Sequence, residues 1–141
     1  MNEEDPLTMY IAVRESLNMS LGKTCIQVGH VTQRLQQKYQ ELFNEADSYL
    51  DPIYRDIGYE LIPKDILDKL NIYNDWVKVG IRKVSLRADE KEWVKLKELP
   101  DHILIVDAGH TELAPGTETV IGFWPMLKSQ RPKILKRLQA L

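Results

Sequence analysis

At 141 residues the chain is near the usual size of one domain, and its 43% hydrophobic and 28% charged residues are ordinary for a folded globular protein, which argues against global disorder or a fibrous repeat. A formal net charge of -2 argues against nucleic-acid binding by bulk electrostatics, and no apolar run approaches the roughly 20 residues needed to cross a bilayer. One cysteine, Cys25, allows no internal disulfide, and the acidic start with Glu3, Glu4 and Asp5 is unlike a secretory signal, so a reducing cytoplasmic setting is expected.

In chain order, Met9 to Arg14 is a short apolar, β-branched run that predicts a strand. Ser20 can cap a helix starting at Leu21 or Gly22, with Cys25, Val28, Val31 and Leu35 at helical spacing as far as Tyr39 or Phe43. From Glu45 to Tyr73 the pattern weakens under Pro52, Gly58 and Pro63, and only Lys64 to Leu70 is clearly helical; this acidic stretch reads as an elaboration of the core. Arg82 to Leu86 predicts a second strand and Asp89 to Leu99 an amphipathic helix ended by Pro100. His102 to Val106 is a continuous apolar strand broken by Asp107-Ala108-Gly109, and Thr119 to Phe123 is a fourth strand after the Pro115-Gly116 turn. Pro132 to Leu141 predicts a terminal basic helix.

Strands alternating with helices imply an α/β fold, a three-layer α/β/α sandwich. The loop from Asp107 to Glu118 is too irregular for a helical crossover, so the last two strands should pair antiparallel, giving a four-stranded mixed sheet.

Two segments could carry chemistry. Lys23, Gln27 and His30 are spaced by four and three residues, which puts a cation and two hydrogen-bonding groups on one helical face, beside free N–H groups that favour an anion. Asp107 ends a buried strand where crevices form in open α/β sheets, and Gly109 admits close backbone approach. Each has a plain structural alternative, a solvated lysine with a half-buried histidine in one case and a self-capped turn in the other. The histidines, Cys25 and Asp107 show no metal-ligand spacing, so no metal is expected.

Together the two segments resemble the second class of peptidyl-tRNA hydrolases, the archaeal and eukaryotic type. Met19-Ser20-Leu21-Gly22-Lys23 through Gln27 and His30 is similar to that family's first block, and Asp107-Ala108-Gly109 with Thr111, Ala114-Pro115-Gly116-Thr117, Thr119-Val120 and Gly122 to its second. Trp76, Gly80 and Lys83-Val84 extend the likeness to about two thirds of the chain. This chain departs from the pattern at Leu21, where lysine is frequent, at His110, where arginine is usual, at Glu112, where glutamine is usual, and at Phe123-Trp124.

The resemblance implies residues 1–141 as one such domain with an insertion around 44–73. It further implies hydrolysis of the ester of peptidyl-tRNA with no cofactor. Lys23, Asp107 and Thr111 would be the catalytic residues. Ser20, Gly22, Gln27, His30, Gly109 and His110 would support the site, while Lys38, Arg82 and Lys83, with Arg87 and the terminal basic helix, would meet tRNA phosphates. A homodimer is compatible with the sequence. Two rivals stay open: a catalytically silent protein-interaction module built on this fold, and a hydrolase of a small ester or amide.

Overall fold

A computed structural model describes residues 4–50, 58–110 and 112–141. The chain opens with strand β1 (Leu7–Arg14), a single 3-10 turn (Glu15–Leu17) and the long helix α1 (Leu21–Ser48). Helices α2 (Gly58–Leu61) and α3 (Lys64–Lys78) follow, then β2 (Lys83–Ala88), α4 (Glu90–Lys97), β3 (His102–Val106) and β4 (Glu118–Phe123). The chain closes with β5 (Met126–Leu127), another 3-10 turn (Lys128–Gln130), α5 (Lys133–Arg137) and β6 (Gln139–Ala140).

The sheet runs in the order β3-β4-β1-β2-β6, with β5 paired to the start of β1. Strands β1 and β2 are parallel, whereas β4 is antiparallel to both β1 and β3, so the sheet is mixed as expected. Three layers form because β1 is buried on both faces, which its nearly unbroken apolar sequence requires. Leu7, Met9, Ile11 and Val13 face α1 and α3, packing with Val31, Leu35, Leu70, Tyr73 and Trp76. Tyr10 and Ala12 point the other way, into a second core with Trp93 and Leu96 of α4 and Ile134 and Leu135 of α5.

Local chemistry sets the element ends. The hydroxyl of Ser20 accepts from the Lys23 N–H at 3.1 Å and starts α1. Asp89 and Glu92 form a reciprocal capping box at α4. Gly122 lets α1 lie close on β4: a Cβ there would meet Val31 Cγ2 at 2.6 Å.

The structure departs from the sequence expectations in strand count, in the tail and in the length of two helices. The described sheet has six strands, not four, because β5 and β6 are two residues long, too short to leave a period in the sequence. The terminal helix does not run to Leu141. It stops at Arg137, Leu138 turns extended, and β6 pairs antiparallel with β2, Leu86 opposite Ala140. Leu141 N–H then donates to Ser85 O at 3.0 Å, so the tail is held by the sheet edge. Helices α1 and α3 also run further than their apolar spacing suggests, to Ser48 and Lys78.

Candidate functional site

The site lies where the carboxyl end of β3 meets the amino end of α1. Lys23 sits in the first turn of α1 and Asp107 directly follows β3; Lys23 Nζ donates to Asp107 Oδ1 at 2.5 Å. Both side chains are nearly enclosed, at 10% and 5% exposure. Two further contacts fix the carboxylate and two more the Asp107 main chain. Gly109 N–H donates to Oδ2 at 2.8 Å, Gln27 Nε2 approaches Oδ1 at 3.4 Å, and the Asp107 main chain is pinned by Thr117 O and Gly116 N.

The loop geometry has a backbone cause. Gly109 has φ +82°, a conformation that side chains disfavour, and a Cβ there would meet the Pro115 ring at 2.5 Å. The Asp-Ala-Gly sequence therefore curls back so that its own N–H caps the carboxylate.

Gln27 is buried, and its amide is oriented from the sheet: Thr119 Oγ1 donates to Gln27 Oε1 at 2.6 Å. With its oxygen engaged by a donor, the amide presents its NH₂ to Asp107. Glu112 ties the loop to the helix start, accepting from Ser20 N at 2.9 Å and from Ser20 Oγ at 2.7 Å.

Electrostatics follow from these contacts. The hydrogen bond from the Lys23 ammonium is the main reason that Asp107 lies below the usual carboxylate range; burial opposes it, and Gly109 and His110 assist. Glu112 is likewise lowered, first by the Ser20 hydroxyl and then by its N–H. Asp107 thus faces Lys23 as a carboxylate at neutral pH.

A cleft of about 640 Å³ opens from this pair and runs along α1 beside β3. Of the residues singled out from the sequence, Lys23, Gln27, His30, Asp107 and His110 all line it, while Ser20 and Gly109 build its end. Gly22 lies in the same first turn with open space at its Cβ position. Thr111 lies outside the described residues.

Lys38 is not in this cleft; it borders a separate hollow of about 70 Å³ with Lys69 and Trp124. Arg82 and Lys83 stand at the opposite end of the sheet, since Lys83 pairs with Met9 near the start of β1. There Lys83 Nζ lies 5.1 Å from the centre of the Trp76 ring and bonds Ile81 O.

The sequence assigned no site role to Thr119, which stood only within the second motif block and a strand, nor to the cleft residues Gln33, Arg34 and Gln37. The latter signal was present: Arg34 and Gln37 continue the four-three spacing of Lys23, Gln27 and His30. Among the described residues no group of three or more His, Cys, Asp or Glu is placed to hold a metal ion, and no helix is long and apolar enough to cross a membrane.

Comparison with known proteins shows which family the chain resembles. The family model for peptidyl-tRNA hydrolase PTH2 matches residues 7–141. The peptidyl-tRNA hydrolase of Thermoplasma acidophilum is 27% identical over 139 residues, covering 94% of this chain and 97% of its own. That of Methanocaldococcus jannaschii is 27% identical over 142 residues, with 96% and 100% covered. A probable peptidyl-tRNA hydrolase 2 from Dictyostelium discoideum is 30% identical over 82 residues, 54% of this chain and 39% of its own.

Proposed function

We propose that the chain, which belongs to the peptidyl-tRNA hydrolase PTH2 family, hydrolyses the ester joining a peptide to the terminal ribose of tRNA, releasing peptide and free tRNA. One observation carries the reading: an ammonium and a carboxylate from positions 84 residues apart meet at the mouth of a cleft, enclosed and supported by a buried amide.

Attack of water on the ester carbonyl develops negative charge on oxygen. Lys23, beside the positive end of the α1 dipole, is placed to stabilise that charge, and Asp107 holds the ammonium in position. A carboxylate bonded this strongly is a poor proton acceptor, so the lowered Asp107 favours orienting Lys23 and water over deprotonating it, and the proton that water gives up passes to the ribose oxygen released as the ester C–O bond breaks. Gln27, locked by Thr119, keeps the carboxylate from turning.

In this reading tRNA is the partner, the cytoplasm is the compartment, and residues 1–141 act as one unit in which 44–73 is an insertion. Lys38, Arg82 and Lys83 contact the tRNA body away from the ester. The experiment is cleavage of N-acetylaminoacyl-tRNA. Wild type should cleave it, and Lys23→Ala should lose about 10²–10³ in kcat. Lys23→Ala with wild-type kcat removes Lys23 from the mechanism; an inert wild type removes the hydrolase reading.

A further inference from the structure

We infer that the cleft beside α1 binds the peptide arm of the substrate as an added, extended strand on the edge of β3; the inference rests on the hydrolase reading above and says which half of the substrate lies there. Among the described residues strand β3 is the sheet's edge, bonded on one side only, to β4. Asp101 O accepts from Trp124 N at 3.2 Å, and the register pairs Ile103 with Gly122 and Ile105 with Val120. Bonded pairs alternate along an antiparallel ladder, so Ile103 and Ile105 turn their main-chain groups to β4. Those of His102 and Leu104 point to the outer edge, and Leu104 lines the cleft.

The opposite wall is the stripe of α1 that starts at Lys23 and continues through His30, Gln33, Arg34 and Gln37. From Lys23 to Gln37 the helix rises about 21 Å, the length of roughly six residues of extended peptide. The chemistry of the two walls matches a peptide main chain. An edge strand offers N–H and C=O groups in register, and primary amides such as Gln33 and Gln37 serve as both donor and acceptor for peptide groups. Recognition of this kind ignores side-chain identity, which suits an enzyme whose substrates differ in peptide sequence.

RNA fits this cleft less well. Phosphodiesters carry one charge per nucleotide, and beyond Lys23 the stripe on α1 supplies one permanent cation, Arg34. At the mouth, Ile26 and Val106 are 58% and 53% exposed and give apolar surface for the side chain next to the ester. The cleft begins at the Lys23–Asp107 pair, so a peptide whose ester is held there has this channel as its path.

The test compares kcat/KM for N-acetylaminoacyl-tRNA and for a hexapeptidyl-tRNA with the same final residue and tRNA. Wild type should prefer the longer substrate roughly tenfold, the value of two or so net main-chain hydrogen bonds. Gln37→Trp, at an exposed helical position, fills the far end of the cleft and should bring that ratio close to one. Gln33→Trp repeats the test one turn nearer the ester and should do the same. A wild-type ratio of one overturns the inference, as does a tryptophan variant that slows both substrates equally, the result expected if RNA lies in the cleft. A wild type inert on both substrates instead removes the hydrolase reading, and the inference with it.

Discussion

Asp107 and Glu112 are the two carboxylates that hold the site together, and both are stabilised in ionised form by partners at the amino end of α1, Lys23 and the capping Ser20. Their folded-state pKa values lie below the unfolded ones, so each contributes stability that is present above the unfolded value and lost as pH falls through the folded value. The window is therefore acidic, from about pH 4 downward, with no stability change from these groups near neutrality. Asp107→Asn and Glu112→Gln should each flatten the acid limb of stability, measured as urea midpoint against pH; an acid limb unchanged in both variants contradicts this assignment. At this scale the sequence was readable where spacing was local. Lys23, Gln27 and His30 announce a common face by their own intervals, and Asp107 by ending an apolar run. Partners distant in sequence left no such trace: nothing in a strand-forming Thr119 reveals that it orients Gln27, and Glu112 stood out only as a departure, without Ser20 being visible as its partner.

Among the elements, α1 and β4 set the site's rigidity, because Asp107 and Lys23 meet only if the helix lies close on the sheet. Gly122 permits that approach, with Val31 and Leu35 both within 3.0 Å of where a Cβ would sit. Gly122→Ala should cost about 1–3 kcal/mol of stability by overpacking, read from denaturant unfolding, and should lower activity by lifting α1 away from Asp107. A variant of unchanged stability and activity would show that this contact does not position the helix. The principal elements could be read from the sequence because their signals are strong: apolar runs for β1 and β3, caps at Ser20 and Asp89, prolines before α3 and α5. The tail could not. Its residues Lys133 to Leu141 keep a helical apolar spacing, while the gain from pairing Gln139 and Ala140 with β2 comes from tertiary contact. The ends of α1 and α3 were underestimated for a related reason, since polar, partly exposed turns carry little periodic signal yet continue a helix already nucleated.

Across the whole molecule, a three-layer sandwich brings the amino end of a long helix and the carboxyl end of an edge strand to one corner. The charges are distributed accordingly. In the proposed reading the ester chemistry is confined to that corner, while Lys38, Arg82 and Lys83 lie away from it, where a ligand as large as tRNA would reach both. The order of the two motif blocks was visible in the sequence, but their meeting in space depends on β3 and β4 both lying on one side of β1, which no local pattern specifies.

In the proposed mechanism Lys23 and Asp107 act as one unit, and a double-mutant cycle on N-acetylaminoacyl-tRNA hydrolysis reads their coupling. Lys23→Ala, Asp107→Ala and the double variant should all lose a similar factor in kcat/KM, so that the second substitution adds little to the first. Losses that multiply, each substitution acting independently of the other, would contradict the account.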